Sequence, residues 1–165
     1  MRYWKDFYIN PRFYYLITFA VCFLAISYFG ETLFLIAKIS LVGIIILLIT
    51  DYLFLFRKKE LVSTKRRLPD NLSLGDVNNY SLLIDNNFGH FLNVEIIDEL
   101  PFQLQERNFS ILLRLGKGRK EKIACTIRPK ERGLYVFGST NIYCSSKIGL
   151  VSRRCTFGSI ESIKV

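Results

Sequence analysis

One histidine, one tryptophan and four cysteines are a thin supply of the residues that build most metal centres, disulfide scaffolds and general bases. Four Cys in 165 residues is too sparse for a disulfide framework. Cys125, Cys144 and Cys155 lie far apart without Cys-x-x-Cys spacing, which argues against zinc and predicts free, mostly buried thiols in a reducing compartment. His90 stands alone in the turn Phe88-Gly89-His90-Phe91, a surface position rather than that of a catalytic base. No Gly-rich loop followed by Lys-Ser or Lys-Thr is present. Gly116-Lys117-Gly118-Arg119-Lys120 joins two strands and reads as a solvated hairpin. Asp98 and Glu99 are adjacent on a strand, so they point to opposite faces. They read as an exposed strand end before Pro101, not as an acid/base pair. These absences predict no cofactor, no metal and no enzymatic activity. Disorder is excluded as well, because half of the residues are hydrophobic and would leave too much apolar surface wet.

What the chain does have is segregation. Phe13 to Phe29 carries no charge, and its 17 residues reach about 26 Å as a helix, close to the ~30 Å hydrocarbon core of a bilayer. Asn10 and Pro11 supply an N-cap and a proline at the first helical position. Ile39 to Phe56 is a second apolar run, interrupted only by Asp51. The predicted arrangement is an N-terminal tail over 1–12, a first span over 13–29, a short external loop over 30–38 and a second span over 39–56, whose helix starts anywhere from Thr32 to Ile39. A cleaved signal peptide fits poorly, because small residues are scarce at its end and a second span follows. Cys22 after Val21 makes a poor lipoprotein box and reads as a packing residue.

Orientation follows from the basic flanks. Arg2, Lys5 and Arg12 precede the first span; Arg57, Lys58, Lys59, Lys65, Arg66 and Arg67 follow the second, while the intervening loop offers Lys38 alone. Both termini are therefore expected in the cytoplasm, with Tyr3, Trp4, Tyr8, Tyr14 and Tyr15 at the interface. Arg57, Lys58 and Lys59 are expected to touch anionic lipid, at about 1 kcal/mol per charge. Five of the nine net positive charges fall in 57–67, and the ten acidic and thirteen basic residues of 68–165 leave little for nucleic acid. Asp51 is placed roughly 7–8 Å inside the second span, level with Thr18. Three readings apply: a polar contact open to a partner or ion, a staple to Thr18 or Tyr14 within the hairpin, or a carboxylate reaching toward the interface. With no second intramembrane carboxylate or His, a relay is not built.

After residue 59 the pattern changes to strict alternation, in 79–86, 92–96, 109–115 and 123–127, with further strands expected near 134–144 and 149–157 and a weak one near 60–67. Turn signals at 74–76, 86–89, 116–118 and 130–133 separate them. Residues 57–67 form a basic juxtamembrane segment and possible first strand, and 68–165 a cytoplasmic domain. Seven or eight short strands predict a membrane-anchored all-β protein, with an antiparallel immunoglobulin-like β-sandwich after the helical hairpin. The Cys-Trp-Cys hallmark of true immunoglobulin domains is absent. Gly133 is expected to close a tight hairpin at φ > 0, and Gly138 to mark a bulge or a close backbone approach.

Several local patterns occur together: Leu68-Pro69-Asp70 with Leu74-Gly75, Asp98-Glu99-Leu100-Pro101, Arg128-Pro129 with Arg132-Gly133-Leu134-Tyr135-Val136-Phe137-Gly138, and Ser145-Ser146-Lys147-Ile148-Gly149-Leu150-Val151 with Arg153. After a two-helix hairpin, this order resembles the N-terminal half of the bacterial "domain of unknown function fifty-eight" family. It departs at Lys147, where a Pro is expected. The resemblance implies a von Willebrand A-like half beyond Val165, company with MoxR-type AAA ATPases and von Willebrand A proteins, and a place in the bacterial inner membrane. It makes Gly133, Tyr135, Gly138 and Gly149 architectural, with Arg128 and Arg132 bordering a candidate docking surface. The expected function is a non-enzymatic binding or assembly module in contact with the lipid bilayer and protein partners. The alternatives are a sensor relaying a membrane signal through Asp51, or half of an enzyme completed further along the chain.

Overall fold

The computed structural model describes residues 6–106, 109–158 and 160–165. Arg2, Tyr3, Trp4 and Lys5 lie outside the described residues. The chain divides into two compact units, one formed by 1–59 with 145–153 and the other by 60–144 with 154–165.

In the first unit, strand β1 (Phe7–Ile9) precedes helix α1 (Pro11–Ile26), and a turn of 3-10 helix over Ser27–Phe29 leads to helix α2 (Glu31–Phe56). Residues 7–9, within the expected N-terminal tail, pair with Val151–Arg153, Phe7 opposite Arg153 and Ile9 opposite Val151. Pro11 opens α1, as its fixed φ favours. The expected loop over 30–38 is absent. Gly30 alone breaks the helical run, and α2 begins at Glu31, an acidic residue in the first turn that suits the helix dipole. Lys38, assigned to that loop, lies within α2 with its ammonium 4.2 Å from the centre of the Phe34 ring one turn nearer the helix start. Both helices expose large apolar side chains, Ile26 of α1 at 74% and Ile39 of α2 at 63%, and so does the turn between them, with Phe29 at 94%. They are long and apolar enough to cross a membrane by length and composition.

The second unit is an antiparallel β-sandwich. β2 (Val62–Arg67), β3 (Asn78–Asn86) and β6 (Lys120–Ile127) form one sheet in the order β2-β3-β6. β4 (Leu92–Asp98), β5 (Ser110–Leu115), β8 (Thr140–Ser145) and β9 (Val151–Phe157) form the other in the order β9-β8-β4-β5. β7 (Leu134–Phe137) pairs with β10 (Glu161–Lys164). The alternating apolar residues fill the core. Tyr80, Leu82 and Ile84 of β3, Leu92, Val94 and Ile96 of β4, Tyr135 and Phe137 of β7, and Ile142 of β8 are buried. Each such side chain contributes about 1.5–3 kcal/mol of burial.

Two turns read as hairpins are crossings. β5 pairs with β4 while β6 pairs with β3 over Asn78–Asp85, so Gly116–Arg119 carries the chain from one sheet to the other. β7 pairs with β10, so the turn at Gly133 likewise does not join paired strands, although its φ of +153° is the positive value expected. Alternation states that a strand has a buried face; it does not state which strand lies beside it.

Candidate functional site

Among the described residues of the helical unit, Asp51 is the most deeply enclosed ionisable group, with no exposure to solvent. Its carboxylate does not reach Thr18, which is exposed. One carboxylate oxygen accepts the Ser146 hydroxyl, and the other accepts the backbone N–H groups of Leu150 and Val151 at 2.9 and 3.0 Å. Ser146 Oγ in turn accepts the N–H groups of Ile148 and Gly149 at 3.1 and 3.3 Å. The result is a closed turn, Ser146–Leu150, whose inward amides all end on one carboxylate and one hydroxyl. Gly149 stands at φ +71°, and a Cβ there would lie 2.9 Å from Arg12 Nη1.

Helix lengths explain why the pairing with Thr18 fails. Counted from the break at Gly30, Asp51 lies 21 residues along the chain and Thr18 only 12 residues back, so the two stand at different levels by helical rise. Pro11 is 19 residues back from Gly30, so the start of α1 and Asp51 are roughly level at ~1.5 Å per residue. The depth expected from sequence was counted back from Phe56 and matched to Thr18, five residues into a first span starting at Phe13; the helices instead run from Pro11 and from Glu31, which sets Asp51 nearer the start of α1.

The other side of the turn is held by the segment ahead of α1. Asn10 donates from its side-chain amide to the Gly149 carbonyl at 3.0 Å and from its backbone to the Leu150 carbonyl at 2.9 Å, while its amide oxygen accepts the Ser152 hydroxyl at 2.6 Å. This consumes the side chain expected to cap α1, and no side-chain cap forms. Arg12 donates to the Ile148 carbonyl at 3.2 Å. One turn beyond Asp51, Arg153 donates to the carbonyls of Lys58 at 2.6 Å, Lys59 at 2.9 Å and Leu55 at 3.4 Å, and lies 5.0 Å over the Phe56 ring. Its guanidinium thus satisfies carbonyls that the end of α2 leaves open and complements the dipole there. Phe7 packs edge-on against Tyr52, which stacks on Phe56 at 4.5 Å. The side chains of Arg57, Lys58 and Lys59 are exposed.

The sandwich has its own polar centre. Arg66 is not a solvated basic residue: its side chain is 4% exposed and pairs with Asp98, which is fully buried. Asp98 also accepts the Thr140 hydroxyl at 2.7 Å and the Tyr80 phenol at 3.2 Å, and Arg66 donates to the Gly138 carbonyl at 3.0 Å. The remaining guanidinium nitrogens, Nε and Nη1, have no hydrogen-bond partner among the described residues, and the guanidinium carbon sits 5.4 Å from the Phe137 ring centre. Burial, then the charge of Asp98, pushes the Tyr80 phenol well above its ordinary value, and burial raises the Cys125 thiol. Asp98 was expected at an exposed strand end; the alternation of β4 runs through it and turns it inward, with Glu99 outward. Glu99 accepts from Ser139 N–H at 3.0 Å and Asn141 at 2.8 Å. Its Cβ would lie 2.8 Å from a Cβ at Gly138, the close approach expected of that glycine.

The candidate docking arginines are exposed. Arg128 is engaged with the Gly75 carbonyl, whose own N–H donates to the Pro129 carbonyl at 2.9 Å, so it braces a loop. The buried Tyr135 donates its phenol to the Glu131 carbonyl at 3.0 Å. No grouping of three or more metal-ligating side chains occurs among the described residues. A cavity of about 260 Å³ borders Thr64, Arg66, Thr140, Gly158 and Glu161.

No family model matches the sequence, and no curated protein matches it. Among solved structures, the chain is similar to a CARDB domain from Pyrococcus furiosus determined in complex with two metal ions, at 13% identity over 62% of this chain and 85% of that one, TM-score 0.44. It is similar to a PapD-like (ASH) domain of human CEP192, at 14% identity over 63% of this chain and 84% of that one, TM-score 0.46. It is also similar to the PKD domain of an M14-like peptidase from a Thermoplasmatales archaeon, at 13% identity over 63% and 91%, TM-score 0.35.

Proposed function

We propose that the chain is a non-enzymatic, membrane-anchored binding or assembly module. In this reading α1 and α2 cross the bacterial inner membrane as a hairpin with both termini in the cytoplasm. The observation that carries it is the exposure of large apolar side chains along both helices, Phe19, Ile26, Tyr28, Phe29, Ile39 and Leu53 among them. Left in water, such a surface far exceeds what a soluble domain tolerates; in hydrocarbon it needs no partner. The polar groups support the same frame. Glu31 and Asp51 bracket a 19-residue stretch whose one charge, Lys38, reaches toward the helix start, as long side chains do near an interface. Arg57 stands about 9 Å beyond Asp51 by helical rise, within reach of anionic headgroups.

The partners we assign are those implied by the resemblance of the 132–138 and 145–151 segments: a MoxR-type AAA ATPase and von Willebrand A proteins. Two experiments test the reading. Single-cysteine variants at Thr32 and Ser73, probed with an impermeant thiol reagent on intact cells, are expected to label at 32 and not at 73; the reverse overturns the orientation. A pull-down from membranes is expected to recover an ATPase or a von Willebrand A protein. Turnover that follows the purified chain through a hydrolase screen would overturn the non-enzymatic assignment.

A second reading, a sensor working through Asp51, has one observation in its favour: the carboxylate on α2 holds the Ser146–Leu150 turn by three hydrogen bonds. It predicts that Asp51→Asn alters signalling while the protein remains in the membrane fraction.

A further inference from the structure

We infer that the turn Ser146–Leu150 is a second membrane contact, a foot that seats Ile148 at the lipid interface and presents Lys147 to anionic headgroup phosphates. The inference rests on the membrane-spanning reading of α1 and α2 and adds a lipid-facing element that lies far from both helices in sequence. Three observations carry it. The first is depth. Leu150 and Val151 donate to Asp51, which falls where a ~30 Å hydrocarbon layer measured from Gly30 ends. Arg12, the second residue of α1, donates to the Ile148 carbonyl. The turn is therefore fixed to both helices at the level where they leave hydrocarbon.

The second observation is what the turn exposes. Its polar backbone faces inward onto Asp51, Ser146 and Asn10, while Ile148 is 46% exposed and Lys147 is exposed beside it. A β-branched apolar residue at the tip of a turn, next to a lysine, is placed as an interfacial anchor is: apolar body inward, ammonium toward phosphate. The third is charge. Arg12, Arg57, Lys58, Lys59 and Lys147 all belong to this one end of the helical unit. Each basic residue near an anionic leaflet adds about 1 kcal/mol of attraction, so the occupant that complements this end is an anionic lipid surface.

The test uses the full chain reconstituted in vesicles. Trp4→Phe removes the native indole, and either Ile148→Trp or Ile39→Trp then supplies a single reporter. Ile39 is nine residues from Gly30, about 13 Å by helical rise and so near the mid-plane. Quenching is read with phosphatidylcholine brominated near the carbonyls or near the chain ends. For Trp at 148 we expect several-fold stronger quenching by the shallow bromines; for Trp at 39 the deep bromines dominate. Strong quenching at 39 with none at 148 overturns the foot and leaves the spans intact. No quenching at 39 overturns the spanning reading itself, and the foot falls with it. A second arm replaces part of the lipid by phosphatidylglycerol. Shallow quenching at 148 is expected to rise with the anionic fraction, and Lys147→Gln to abolish that rise. A signal insensitive to phosphatidylglycerol in the chain with Lys147 intact overturns the headgroup assignment.

Discussion

Removing the acceptor at Asp51 tests the helical unit most directly. In Asp51→Ala the N–H groups of Leu150 and Val151 and the Ser146 hydroxyl lose their acceptor in a site with no solvent exposure. A buried donor left unsatisfied costs about 1–3 kcal/mol. The two amides alone therefore predict about 2–6 kcal/mol of lost turn stability. Asp51→Asn behaves differently. While the Ser146 hydroxyl, whose lone pairs are taken by the Ile148 and Gly149 N–H groups, loses its acceptor in either variant, the Asn amide oxygen can still accept both backbone N–H groups, so those two bonds lose only their charge-assisted part. That difference is about 1–2 kcal/mol, since bonds to charged groups are worth about 1.5–3 kcal/mol against about 1 for neutral ones. The assay is hydrogen exchange at the Leu150 and Val151 amides in detergent or bilayer. At tenfold per ~1.4 kcal/mol, Asp51→Asn should speed exchange by about 5- to 30-fold and Asp51→Ala by about 30-fold to more than 1,000-fold. Equal rates in Asp51→Ala and the unaltered protein would refute the assignment of this carboxylate as the anchor of the turn.

In the sandwich, Arg66→Ala leaves Asp98 buried without its counter-charge and should cost about 3–5 kcal/mol in urea unfolding, whereas Arg66→Met with Asp98→Leu should recover much of the loss; equal losses would remove the pairing argument. The raised Tyr80 and Cys125 groups fix the sign of an alkaline effect. The unfolded chain releases these protons near its ordinary values while the folded one retains them, so stability is full below about pH 9 and falls as pH rises above that, by about 1.4 kcal/mol per unit for each group. Tyr80→Phe should flatten the fall above pH 10 in a Tm–pH series. Gly138→Ala drives a methyl into Glu99 and should destabilise the sandwich by about 1–3 kcal/mol, read as a lowered Tm; an unchanged Tm would show that the two strands separate freely there.

The residues themselves determined a good deal. Uncharged length predicts helices wherever it occurs, because an apolar run must satisfy its backbone internally. Period-two alternation located β3 to within a residue and the cores of β4 and β6, whose ends run two and three residues further, since a strand shows its buried face in every second side chain. Gly133 and Gly138 were legible because a positive φ and a close approach both call for the absence of a Cβ. The extent of the helices was less so: Glu31 and Lys38 flank an otherwise apolar stretch, which left the start of α2 open between Thr32 and Ile39, and the helix takes in all of it from Glu31.

Partnership was decided only by the tertiary structure. Asp51 is one carboxylate in an apolar run, and nothing near it in sequence announces Ser146, Leu150 and Val151, about a hundred residues away. Arg66 lies within a basic cluster and looks solvated until β2 is set in register and brings it to Asp98 and Thr140. The turns at Gly116 and Gly133 announce a change of direction and not a destination. Local sequence fixes backbone geometry and which face is apolar; long-range pairing is chosen by which buried donors and acceptors satisfy one another, and that is settled only when the whole chain has folded.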